Sequence, residues 1–110
     1  MNLEVLNVDS NYLKSLPKPI GKLKKLKALQ VSNNELHCIP SEIGSLKSLE
    51  ALELMNNRVQ NLPEELSKCV NLKMLFVDGN LIENLPSSLL KLSNLEYLSL
   101  GKNHIRHLPQ

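Results

Sequence analysis

A chain of 110 residues offers one domain's worth of core. Its formal charge of +2 is too small to announce a nucleic-acid partner, and no apolar run reaches the roughly 18–20 residues of a membrane span. Two cysteines, Cys38 and Cys69, make no disulfide framework, and no leader is expected, since no basic segment and apolar core precede the first patterned residues.

From Leu3 onward one pattern recurs every 23 residues: L-x-x-L-x-[LV]-x-x-N-x-[LIV]-x-x-[LI]-P. The leading Leu falls at Leu3, Leu26, Leu49, Leu72 and Leu95. A period of this length decides the architecture before any other signal. Residues 1–110 are accordingly expected to form a single repeat domain of five units, the fifth incomplete.

The first unit opens with Leu6 and Val8, two apart, which predicts a short strand with one buried face around residues 5–9. Asn11 follows where the chain leaves the strand. Pro17 then precedes Ile20 and Leu23, whose spacing predicts a helix or helical turn facing inward. A Pro suits a helix start because its missing N–H would find no partner there. The second unit repeats this with Leu29 and Val31, Asn34, Pro40, then Ile43 and Leu46. The third has Leu52 and Leu54, Asn57, Pro63, Leu66 and Cys69; the fourth has Leu75 and Val77, Asn80, Pro86, Leu89 and Leu92. The fifth has Leu98 and Leu100, Asn103 and Pro109. No unit can bury its own core, so neighbours are expected to stack and their strands to form one parallel sheet.

The inward positions of the pattern are 1, 4, 6, 11, 14, 18 and 21, and all 33 of them carry apolar residues. The amide of each Asn, at Asn11, Asn34, Asn57, Asn80 and Asn103, is expected to pair backbone groups of its own and the adjacent turn. Stranding such a group would cost roughly 1–3 kcal/mol.

The motif resembles the leucine-rich repeat. The stretches LPEELSKCVNL and LPSSLLKLSNL resemble the 23-residue, Ras-group-like intracellular subclass. The resemblance implies an α/β fold: a right-handed, curved solenoid with a concave parallel β-sheet and short helices or helical turns on its convex side. It implies no catalytic set and no cofactor. Extracellular relatives carry cysteine-rich caps, which this chain lacks, so the resemblance favours a cytoplasmic protein. It also implies protein partners in signalling, among small GTPase or phosphatase components.

Residues the core does not need point to a binding face. Positions 3, 5 and 7 face the concave side. Of the 46 hydrophobic residues, 13 lie outside the core pattern, and seven of those sit at these positions: Val5, Ala28, Ala51, Met55, Met74, Phe76 and Tyr97. With strands about 4.8 Å apart, Met55, Met74, Phe76 and Tyr97 can form one patch. Exposed clusters of this kind mark recognition surfaces. Glu53, Asp78 and Ser99 lie on the same face, and the two carboxylates would favour a basic partner. For Val5, Ala28 and Ala51, packing along the sheet is the simpler reading.

A second surface is basic: Lys14, Lys18, Lys22, Lys24, Lys25 and Lys27, with no acid between them in sequence. It could touch acidic lipid or nucleic acid. No aromatic is interleaved and later repeats do not continue it, so a solvated face is the plainer account.

Candidates for chemistry are few. Cys69 occupies an inward slot and reads as a buried thiol. Cys38 adjoins His37 on a turn, where neighbours do not point at each other, and no acid is spaced to orient the His. Opposite orientations make a Cys38–Cys69 bridge improbable. His104 and His107 could share a face but have no third ligand. No enzyme and no metal are expected; the alternative is a non-catalytic repeat arm of a larger enzyme or receptor, whose catalytic domain would lie outside these residues. The apolar residues Leu3, Leu6 and Val8 at one end, and Leu98, Leu100 and Leu108 at the other, leave open core cross-sections. A longer repeat array is the first reading; frayed ends or end-to-end self-association are the others.

Overall fold

The computed structural model of the chain describes residues 3–106. Leu108 and Pro109, and His107 of the histidine pair, lie outside the described residues.

Five strands, β1 (Val5–Asn7), β2 (Ala28–Gln30), β3 (Ala51–Glu53), β4 (Met74–Phe76) and β5 (Tyr97–Ser99), form one parallel sheet in sequence order. The register repeats with the 23-residue period: Leu6 pairs Leu29, Leu29 pairs Leu52, Leu52 pairs Leu75 and Leu75 pairs Leu98. Each strand is three residues long, shorter than the alternation suggested. Backbone bonds still join the units past the strand, as in Ser10 N–H to the Ser32 carbonyl at 2.9 Å. Ser10, Asn33, Asn56, Gly79 and Lys102 all adopt positive φ, between 56 and 73 degrees. This left-handed step turns the chain out of the sheet, and Asn and Gly take it at least cost.

The convex segments Lys18–Lys22, Ser41–Ser45, Glu64–Lys68 and Ser87–Lys91 are 3₁₀ turns. Each prolyl carbonyl just before them accepts the N–H three residues on: Ile20 to Pro17, Ile43 to Pro40, Leu66 to Pro63 and Leu89 to Pro86, at 3.0–3.1 Å. The second such bond closes on the last inward residue, as in Leu46 N–H to the Ile43 carbonyl at 3.1 Å. Inward residues three apart suit the three-residue period of this helix. The molecule is therefore an α/β solenoid: a parallel sheet on one side, short 3₁₀ turns on the other, and a leucine core between them.

Among the described residues that core contains 23 buried ones, with Leu3, Leu6, Val8, Leu13, Leu23, Leu95, Leu100 and Ile105 packed partly against it. Leu98 departs from the inward pattern: it is 43% exposed, whereas its register partner Leu75 is fully buried. No further strand covers β5 among the described residues. Leu98 instead lines a cleft of roughly 400 Å³ with Leu85, Leu89, Leu90, Leu92, Leu95 and Leu100.

Candidate partner-binding face

Asparagines hold the sheet's exit turns in place. Asn34 Oδ1 accepts the Leu13 N–H at 3.0 Å, and its Nδ2 donates to the Val8, Val31 and Ser32 carbonyls at 3.0–3.1 Å. Asn57 and Asn80 repeat this, accepting the Leu36 and Val59 N–H groups at 3.0 Å, and both are buried. Asn103 accepts the Ile82 N–H at 3.1 Å. The amide thus ties each turn to the turn before it. Asn11 is exposed and donates only within its own turn, to the Val8 and Asp9 carbonyls.

On the face this framework presents, position 3 forms the row Val5, Ala28, Ala51, Met74, Tyr97, each in register with the next. Ala51 is buried, Ala28 and Met74 are half-buried, and Val5 and Tyr97 are exposed at 57% and 59%. Packing along the sheet accounts for Ala51 and does not account for Val5. Position 5 forms the row Asn7, Gln30, Glu53, Phe76, Ser99. Met74 and Phe76 are two apart in β4 and so share a face. Phe76, Met55 and Asp78 are half-buried.

Polar neighbours fix the two carboxylates. Gln30 Nε2 donates to Glu53 Oε2 at 2.9 Å. Ser99 Oγ donates to Asp78 Oδ2 at 2.7 Å, while Asp78 Oδ1 is covered and accepts no hydrogen bond from the described residues. Sequence reasoning missed a second ladder at position 7. Asp9 Oδ1 accepts the Ser32 N–H at 2.7 Å, and Ser32 Oγ accepts the Met55 N–H at 3.0 Å. Polar residues at position 7 of successive units were the available signal. Met55 has no oxygen to continue the ladder, and at that repeat the apolar patch begins.

The basic surface differs from its sequence picture. Lys14, Lys18, Lys22, Lys24 and Lys25 are exposed. The fold nonetheless brings acids to them: Lys27 Nζ lies 3.8 Å from Glu4 Oε1, and Glu42 of the next turn lines a cleft with Lys18, Lys22 and Lys24. Lys27 also belongs to a row of alternating charge at position 2, Glu4, Lys27, Glu50, Lys73 and Glu96, with Lys73 3.9 Å from Glu50. These pairs are exposed and contribute little stability.

The reactive side chains are dispersed. Cys38 is an exposed free thiol, and neighbouring His37 is exposed too. Cys69 is buried, its Sγ 3.2 Å from the Ile43 carbonyl, and burial pushes its thiol up to about 11 against a weaker opposing pull from Lys47. Among the described residues no group of three or more His, Cys, Asp and Glu is placed to hold a metal ion. No helix among them is long and apolar enough to cross a membrane.

The family described as leucine rich repeat matches residues 1–59 of the chain. Among solved structures, a leucine-rich repeat protein of Leptospira interrogans is similar at 34% identity, with a TM-score of 0.71, over 94% of this chain and 32% of its own. The plant peptide hormone receptor RGFR1, in complex with RGF2, is similar at 28% identity and a TM-score of 0.87, over 94% of this chain and 18% of its own. The chain therefore spans a third or less of the length of these two neighbours. No curated protein matches it.

Proposed function

The chain belongs to the leucine-rich repeat family, and from that premise we propose that it is a protein-interaction module binding its partner on the concave face. One observation carries the reading: Met74, Phe76 and Tyr97 stand part-exposed on strands whose every turn is tied to its neighbour. A surface held rigid in this way binds without first ordering a loop, so little affinity is lost to conformational entropy. A few aromatic and Met anchors can then carry most of the binding energy. A neighbour of the same fold is seen in complex with RGF2, which supports the reading by analogy at the level of fold.

The resemblance of the repeat supports a finer assignment. We place the chain in the 23-residue, Ras-group-like subclass, as a cytoplasmic signalling scaffold without catalytic activity. Small GTPase or phosphatase components are its candidate partners. The free thiols, Cys38 exposed and Cys69 buried, suit a reducing compartment.

The test is an affinity capture from native cytosol with the wild-type chain and a Phe76→Ala, Tyr97→Ala double variant. The variant loses the captured partner while keeping the wild-type melting temperature. Loss of binding and folding together would overturn the reading.

A further inference from the structure

Positions 3, 5 and 7 of the five units hold three carboxylates, Asp9, Glu53 and Asp78, and no Lys or Arg, in a chain whose formal charge is +2. Asp9 is committed to the backbone of the next strand's exit turn. Glu53 and Asp78 are different. The ion pairs among the described residues are Lys27–Glu4, Lys73–Glu50 and Arg106–Glu83, so among these residues neither concave carboxylate has a cation within 4 Å. Each is instead held by a neutral donor, Gln30 or Ser99. Such donors fix the position of a carboxylate without cancelling its charge.

Between them stands an aromatic ring. Phe76 is in register with Glu53 on one side and Ser99 on the other, and Asp78 follows it by two residues. Tyr97, on β5 two strands from Glu53, is in register with Met74 of the strand between them. We infer that this patch reads an arginine side chain of the partner: the guanidinium stacks on Phe76 and donates to Asp78 or Glu53, while its aliphatic stem lies along Met74 and Met55. This deepens the concave-face reading and rests on it.

Arginine fits better than lysine for three reasons. Its guanidinium is planar and stacks on a ring face. It is more weakly hydrated than an ammonium, so the apolar rim strips less water from it. It carries five donors in one plane, so one can reach a carboxylate oxygen while the face stays on the ring. The long apolar stem of the side chain buries against methionine while the charged head reaches the acid.

The test selects peptides from a random dodecapeptide library on the immobilised chain and measures the best binder by fluorescence anisotropy. Its Arg→Lys and Arg→citrulline forms are measured alongside. Enrichment of Arg beside aliphatic or aromatic residues is expected. The citrulline form, and the wild-type peptide on a Glu53→Gln, Asp78→Asn variant, each bind about tenfold more weakly, as the loss of a charged hydrogen bond implies. The citrulline form binds the variant and the wild-type chain alike. Peptides that need Phe76 and Tyr97 but ignore the carboxylate changes would overturn the arginine inference and leave the concave site standing. Binders indifferent to Phe76→Ala, Tyr97→Ala, or no binders at all, would remove the site itself and the inference with it. Unchanged circular dichroism and melting of each variant keep these outcomes separate from unfolding.

Discussion

Asn57 Oδ1 accepts the N–H of Leu36, 21 residues earlier, at 3.0 Å. The same side chain donates to the Val31 and Leu54 carbonyls at 3.0 Å, so one amide serves two successive turns. Replacing it with Ala strands buried backbone groups and is expected to destabilise the chain by roughly 1–3 kcal/mol. Asn11→Ala removes only bonds within an exposed turn and costs markedly less. Urea denaturation of both variants checks this. Equal losses would show that the ladder does not stabilise by linking turns.

Leu75 and Leu98 occupy the same register position, yet one is fully buried and the other 43% exposed. Leu75→Ala should cost about 2–5 kcal/mol, as truncation of a packed leucine does. Leu98→Ala, lining an open cleft, should cost well under half as much. The comparison is made from the denaturation midpoints at unchanged slope.

Gly79 sits at φ +73, and a Cβ there would overlap Asn56 Oδ1. Asn56 bonds through Nδ2 to Asn33 Oδ1 at 3.0 Å, a contact that moving aside would disturb. Gly79→Ala is expected to lower stability by more than about 1 kcal/mol, the usual penalty of a left-handed non-glycine residue. A Cβ on Gly101 would meet only the Asp78 carboxylate, at 3.2 Å. Gly101→Ala should therefore be tolerated, with both melts followed by circular dichroism.

The Cys69 thiol is raised from near 9 to about 11 by burial. Below pH 9 folded and unfolded chains both keep the proton, and its contribution is fully present. As pH rises from about 9 to about 11 the unfolded chain loses that proton and the folded one keeps it. Stability then falls by about 1.4 kcal/mol per pH unit. Other groups titrate in the same window, so the measured quantity is the difference from Cys69→Leu. That difference should have the stated slope above pH 9 and none below it.

The two thiols should also separate chemically, because the thiolate is the reactive form. One equivalent, from exposed Cys38, reacts quickly with an aromatic disulfide reagent at neutral pH. The second, from Cys69, reacts only in denaturant. Two fast equivalents in the native protein would contradict its burial.

Much of this architecture was legible in the residue pattern. Leucine at fixed spacing can be buried in one way only, by stacking units in register, and the strand pairing of Leu6, Leu29, Leu52, Leu75 and Leu98 follows that spacing. The five asparagines were marked by the same period. The aromatic and Met residues of the concave face were visible because the core pattern left them unused.

Folding settled what periodicity cannot express. Alternation of apolar residues runs through position 7, but the strands end after position 5, and the left-handed residue at position 8 turns the chain away from the sheet. Leu98 matches the core pattern, yet burial depends on a neighbour being there, and β5 lies at the sheet's edge. The lysines around Lys27 look unopposed along the chain, while stacking sets Glu4 beside them from 23 residues away. The grip of Ser99 on Asp78 spans 21 residues and two strands. A linear pattern records which residues an element buries. Which charges meet, and which carboxylates stay without a cation, depends on distances that exist only once the units are stacked.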